Sequence, residues 1–336
     1  MKKKKFLIGL IAVLVVLCFG FITTSDRSEI KDDSMQKVTI TQAGKEKFLL
    51  YLPLYIAMEE GFFAQNGLDV NLSFAGNDDQ VVASVIGGAA DFGVGDPIFS
   101  AIAQEKGGKV KTVALMITKL TLTGYTKDIN MKVISKPQDL DGLRVSSWPS
   151  PSTMYTQLEQ IKKDYNINLD IVPGAFNAQL ATLEAGKVDI ALDLEPAATL
   201  AEEKGYKVVL EFTRFMDPQA VTGLTAKEEF LSQHPDIAQK VVNALQQAMT
   251  AIYKDKNIAY DVAKKLFPDL SDTVIKNAVD RIVDNDSYPR SVEVLDKYWQ
   301  RSIKSRLDSG ELQNKQETDV ATDNTFAKKA FEKYGK

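Results

Sequence analysis

The sequence predicts an α/β fold of two similar lobes facing a shared cleft, and three observations carry that expectation. Two stretches share one plan, Ile86-Gly87-Gly88-Ala89-Ala90-Asp91-Phe92-Gly93-Val94-Gly95-Asp96-Pro97 and Glu184-Ala185-Gly186-Lys187-Val188-Asp189-Ile190-Ala191-Leu192-Asp193-Leu194-Glu195-Pro196. In each, a helix stops at small residues, a Gly-x-x-Asp turn follows, and a short apolar strand delivers an acid and a proline. Strand patterns also alternate with helix patterns, which is the signature of a wound, mainly parallel sheet. Finally, 336 residues with 44% hydrophobic and 26% charged content suffice for two buried cores. Two lobes that each present a strand end to one cleft make a ligand clamp.

Taken in order, Val38 to Ile40 reads as a first strand, and Leu54 to Gln65 as a helix closed by Asn66-Gly67. Leu68, Val70, Leu72 and Phe74 alternate at strand period. Asn77 or Asp78 caps a helix running to Ile86. The strand Asp91 to Gly95, a helix from Pro97 and the strand Val110 to Ile117 follow. The alternation then restarts. Leu143 to Ser146, a helix Ser150 to Tyr165, the strand Leu169 to Val172, helix Ala178 to Glu184, strand Asp189 to Leu192, helix Ala197 to Lys204 and strand Lys207 to Glu211 make a second set. From Lys227 the pattern is helical, including a helix expected over Ser291 to Leu307. These late helices bring no strands, so they are expected over the first lobe. The chain would then cross near Thr121 to Tyr125 and back near Val221 to Thr225. The domains expected are 37–125 with 226–334 as one lobe and 126–225 as the other.

Residues 1–25 are of another kind. Lys2 to Lys5 precede an uncharged apolar run from Phe6 to Ile22, an export signal that also suits an uncleaved anchor. Cys18, the only cysteine, is either a lipid attachment point or an apolar filler, since Leu17 before it makes a poor lipobox. Residues 26–36 read as a tether. Without Lys2 to Lys5, 37 basic residues stand against 45 acidic ones, which disfavours nucleic acid and anionic membrane surfaces as partners. The expected location is the periplasm or the outer face of the cytoplasmic membrane, and the expected state is a monomer.

One cysteine and one histidine, His234, exclude Cys/His nucleophile arrangements and Cys- or multi-His zinc sites. Gly107-Gly108-Lys109 lacks the upstream glycine of a phosphate loop, and Gly93-x-Gly95 is followed by Ile98 where a dinucleotide fingerprint needs glycine. No cofactor and no metal are expected, and nothing points to catalysis.

The candidate ligand contacts cluster at strand ends, where open α/β sheets gather ligands. Asp96 and Glu195 close the twin motifs; each either meets an N–H of a ligand or is solvated or capping a helix. In Ser150-Pro151-Ser152-Thr153, Ser150 suits a cap and Pro151 the first helical position, leaving the N–H groups of Ser152 and Thr153 for an oxygen-rich group. Asn77-Asp78 and Asn177-Ala178 are further helix starts. Tyr51, Tyr55 and Trp148 are aromatics that stack on a ligand or pack the core, with core packing the stronger alternative for Tyr55.

Leu52-Pro53-Leu54-Tyr55-Ile56-Ala57-Met58-Glu59-Glu60-Gly61-Phe62-Phe63 with Asn66-Gly67-Leu68-Asp69-Val70 resembles the opening of substrate-binding proteins that feed nitrate, sulfonate, taurine and thiamine-pyrimidine ABC importers. Gly88 to Gly93, Asp139-Leu140-Asp141-Gly142, Ser152-Thr153, Ala185 to Asp189, Glu195-Pro196 and Asp319 to Ala330 follow in that family's order. The resemblance covers roughly residues 37–330. It implies a two-lobed periplasmic-binding fold of type II with two crossover strands, closing on a small molecule and delivering it to a membrane permease. A pyrimidine-making enzyme on the same fold uses a histidine, pyridoxal phosphate and a cysteine-rich motif; this chain has no cysteine beyond the leader, and His234 lies outside the matching motifs. Two rivals come from other classes. A carboxylate-based envelope enzyme would turn over a substrate, and a sensory domain would need a signalling segment, which does not appear through Lys336.

Overall fold

The computed structural model describes residues 35–336; the leader, Cys18 and most of the expected tether lie outside the described residues. The first set of elements is β1 (Gln36–Ala43), α1 (Leu52–Glu59), α2 (Phe62–Gln65), β2 (Leu68–Gly76), α3 (Asp78–Gly87), β3 (Phe92–Gly95), α4 (Ile98–Glu105) and β4 (Val110–Ile117). The next is β5 (Thr123–Thr126), β6 (Arg144–Ser147), α5 (Thr153–Asp164), β7 (Asp170–Pro173), α6 (Gln179–Glu184), β8 (Ala191–Asp193), α7 (Ala197–Glu203) and β9 (Lys207–Glu211). After β10 (Thr222–Lys227) come helices α8 (Glu228–Gln233), α9 (Pro235–Lys254), α10 (Asn257–Leu266), α11 (Asp272–Asp284), α12 (Asp296–Asp308), α13 (Thr318–Ala321) and α14 (Thr325–Tyr334).

The strand order repeats. One sheet runs β2-β1-β3-β10-β4. A second runs β8-β5-β9 and a third β6-β7, and a parallel bridge from Val145 to Ile190 stitches them together. The stitched order is β7-β6-β8-β5-β9, which reproduces the first with β6 for β1 and β8 for β3. Pairs β1–β2, β1–β3 and β6–β7 are parallel, and every antiparallel pair includes β5 or β10. Those two strands are the expected crossovers. Each leaves one sheet's sequence neighbourhood and pairs in the other, against the grain of its neighbours.

The Gly-x-x-Asp turns explain the twin motif. Asp91 accepts the Thr39 N–H of β1 at 2.8 Å, and Asp189 accepts the Arg144 N–H of β6 at 2.9 Å. Each turn therefore uses its carboxylate to lock a strand onto the one before it, so the recurrence reflects one building rule applied twice.

The helix α9 buries Ala238, Val241, Val242, Leu245, Ala248, Met249 and Ile252, a helical stripe, against α1, α2, β4 and α14. Helices α11 and α12 also reach α7 and α5. The largest core is continuous from Val38, Phe92 and Leu224 to Val145, Leu158 and Ile190, so the described residues form a single compact unit.

Three local expectations are corrected. The helix read over Leu54 to Gln65 is two helices, broken where Gly61 takes a left-handed φ of 71°. The segment from Ser291 to Leu295 is not helical. Val292 accepts the Leu115 N–H at 2.7 Å and donates to Gln246 at 3.0 Å, so it runs beside β4, and α12 starts only at Asp296. The third correction, at the start of α5, belongs to the site.

Candidate functional site

The first twin acid ends β3. Gly95 has no Cβ, and one placed there would lie 2.6 Å from Asp78 Oδ1, so the glycine lets that carboxylate reach the Asp96 N–H at 2.7 Å. Asp96 is 7% exposed. Its Oδ1 accepts the Ile98 N–H at 3.0 Å, and its Oδ2 accepts the Thr153 hydroxyl at 2.6 Å and Arg306 Nη2 at 2.8 Å. Arg306, on α12, is 3% exposed and also donates to the Pro151 carbonyl at 2.6 Å, Thr156 Oγ1 at 3.0 Å and Glu311. Burial, reinforced by the Asp96 charge, pushes the Asp78 carboxyl up to about 6.

The second twin acid is held in a parallel way. Glu195, 3% exposed, accepts the Thr199 N–H at 3.1 Å and hydroxyl at 2.7 Å, and Arg281 Nη1 at 2.5 Å. Arg281 is on α11 and donates its other nitrogen to Glu202 at 2.9 Å. Two residues before Glu195, Asp193 is buried and accepts the Tyr125 hydroxyl at 3.1 Å. Burial pushes its carboxyl up to about 7, with the Glu195 charge adding to the shift.

The expected contacts divide unevenly. Tyr51 is buried, with Thr222 and Asp78 as polar neighbours, and burial raises its hydroxyl well above the usual tyrosine range. Tyr55 is a core residue: it is fully buried, and its hydroxyl donates to Gln42 at 2.8 Å. Asn77 is the exposed N-cap of α3 in a capping box with Gln80, while Asp78 spends its carboxylate on Asp96 instead of capping. Trp148 packs against Phe176 at 5.0 Å between ring centroids, and its buried Nε1 has no partner.

Ser150 does not cap α5. Ser152 N donates to Pro149 O at 3.0 Å, so Pro151 lies inside a turn and not at the first helical position. The cap is Ser152, whose side chain accepts the Tyr155 N–H, and Thr153 opens the helix. Asn177 is exposed with φ 65°, and α6 begins two residues later without a side-chain cap. Thr153 and Asp96 meet; Ser150 and Asn177 make no hydrogen bond with them.

Sequence reasoning missed Arg281 and Arg306, the partners of both twin acids. Arg306 had one visible signal, because Trp299, Ser302, Ile303 and Arg306 fall on one helical stripe, and the stripe is buried. A charge on an apolar stripe calls for a partner. Beside Arg306 lies a cavity of about 10 Å³ lined by Asp96, Thr153, Gln157, Gln219 and Ser302. That is room for a single water. Among the described residues, no group of three or more His, Cys, Asp or Glu could hold a metal ion, and no helix is long and apolar enough to cross a membrane.

Residues 50–259 match the family described as NMT1/THI5 like. The chain belongs to that family. YtlA of Bacillus subtilis (strain 168) is 25% identical to this NMT1/THI5-like chain over 293 residues, covering 84% of it and 86% of YtlA. Among solved structures, the periplasmic nitrate-binding protein NrtA from Synechocystis PCC 6803 matches at a TM-score of 0.70 and 13% identity, covering 89% of each chain. The periplasmic aliphatic sulphonate binding protein SsuA from Escherichia coli matches at 0.68 and 14%, covering 86% of this chain and 98% of that one. The desulfurization enzyme DSZB matches at 0.63 and 15%, covering 89% and 99%. At such identities these structures speak for the fold alone. It is the type II periplasmic-binding fold, and it houses both binding proteins and an enzyme.

Proposed function

We propose that this NMT1/THI5-like chain is the extracytoplasmic solute receptor of an ABC importer. It would capture a small nitrogen- or sulfur-containing nutrient, of the sulfonate, taurine or nitrate type or of the thiamine-pyrimidine type, and pass it to a membrane permease. One observation carries the reading: two sheets of matching strand order each end their third strand in a buried acid, and both acids meet arginines from the C-terminal helices. Both acids are spent on ion pairs, which supports a holding role for them over acid–base work.

In this reading residues 126–225 move as one lobe against 37–125 with 226–334, swinging on β5 and β10. Asp96 and Thr153 line the seam that opens. Native mass spectrometry of protein purified from its host tests it, with a carried-over small molecule as the expected result. The reading fails if no bound solute is found and no small nitrogen- or sulfur-containing solute raises the melting temperature.

A further inference from the structure

We propose that the solute taken at Asp96 is a cation rich in N–H donors, and that Arg306 is its intramolecular stand-in, holding the cleft shut until the solute displaces it. The inference rests on the receptor reading above and narrows it. Around the Arg306 guanidinium stand the Asp96 and Glu311 carboxylates, the Pro151 carbonyl and the Thr156 hydroxyl, all accepting from it. The ring of Phe99 faces it, 5.4 Å from the guanidinium carbon. Carboxylates, a carbonyl and an aromatic face select a donor-bearing cation.

Two more groups have acceptor capacity to spare. Gln157, 2% exposed, lines the same water-sized cavity, and its buried Oε1 has no partner. Asp78 uses one oxygen on the Asp96 N–H. An anion arriving here would meet Asp78, Asp96 and Glu311 around a single guanidinium that they already neutralise. Nitrate and sulfonate are therefore poor guests for this particular chain, whatever its structural neighbours bind.

The guanidinium is also well placed to act as a bolt. Helix α12 is fixed to the first set of elements, where Trp299 and Ile303 share a buried cluster with Ile98 and Phe99 of α4 and Val110 and Leu115 of β4. Pro151 and Thr156, in contrast, belong to the start of α5. Arg306 thus ties the two sides of the seam, and the cavity beside it admits nothing larger than water. Solute and guanidinium exclude one another. The measured affinity of a solute falls by the fraction of molecules in which Arg306 has withdrawn.

The test uses methylguanidinium and acetamidinium against nitrate and methanesulfonate, read by calorimetry and thermal shift on wild type, Arg306→Ala and Asp96→Asn. The cations should stabilise wild type, and Arg306→Ala should bind methylguanidinium at least about tenfold more tightly, because the internal competitor is gone. Asp96→Asn should lose the response. If Arg306→Ala does not fold, Arg306→Lys replaces it, keeping the charge but not the planar fork, and it should also bind methylguanidinium more tightly than wild type. The proposal is overturned if nitrate or methanesulfonate stabilises wild type while neither cation does, or if the arginine variant that folds gains nothing for methylguanidinium. A carried-over solute that proves anionic overturns it too, while leaving the receptor reading intact.

Discussion

At the scale of single residues, Asp193 and Glu195 have opposite surroundings although they are two positions apart: one lacks a cation and the other has Arg281. Asp193 is buried without a cation, and its carboxyl is pushed from 3.8 up to about 7. The folded protein therefore holds this proton where the unfolded chain has released it, and stability falls as pH rises from 3.8 to about 7. Asp193→Asn keeps an acceptor for Tyr125 and never ionises. Chemical denaturation should find it near wild type at pH 4 and more stable at pH 8, by up to about 4 kcal/mol. An equal difference at both pH values would mean that the carboxyl is not held protonated. Glu195 has its cation in Arg281, so Glu195→Ala strands a largely buried guanidinium and should cost about 3 kcal/mol in urea unfolding. Glu195→Gln should cost less. The acids themselves were legible because a repeated motif delivers both to strand ends. Their arginines were not, since Asp96 and Arg306 are 210 positions apart and linear spacing says nothing about such a pair.

At the scale of elements, each crossing strand carries a glycine where its neighbours come closest. A Cβ on Gly124 of β5 would lie 2.7 Å from Leu210 Cβ and 2.9 Å from Ile190 Cγ2. On Gly223 of β10 it would lie 2.8 Å from the Ala114 carbonyl oxygen. Alanine at either position should destabilise the protein by about 1–3 kcal/mol, with the larger loss at Gly223, where backbone cannot yield as a side chain can. A shared loss below that range would show that the strands can spread. The start of α5 gives a second check. Ser152→Ala should cost about 1 kcal/mol and Ser150→Ala almost nothing, because only Ser152 caps the helix. The sequence offered two serines around one proline, and the proline rule favoured the first. The local turn from Pro149 to Ser152 decided for the second. Strand positions and the two crossings were readable from period and from the restart of the pattern, whereas helix ends depended on contacts outside their own segments.

At the scale of the whole molecule, the resemblance of sheet order was readable only as a repeated motif, and the stitched five-strand order emerged with the bridge from Val145 to Ile190. The continuous core has a thermodynamic consequence. Side chains from both sheets share one buried cluster, so neither half can lose its packing while the other keeps its own. Calorimetry on the solute-free protein should therefore give one transition with equal calorimetric and van't Hoff enthalpies. Two resolved transitions would show that the halves melt independently and that the shared cluster is a weak joint.

The place of β10 in the first sheet also sets an order of assembly in time. It pairs with β3 on one side and β4 on the other, yet it is made only after all of β5 to β9. Roughly a hundred residues separate the end of β4 from the start of β10, which at ribosomal rates is on the order of 5–20 seconds of synthesis. During that interval β3 and β4 face each other across an unfilled slot, with unpaired edges of the kind that invite other chains. The nascent chain cannot finish its first sheet early, and a chaperone or export factor that favours unfolded segments has those seconds in which to hold it.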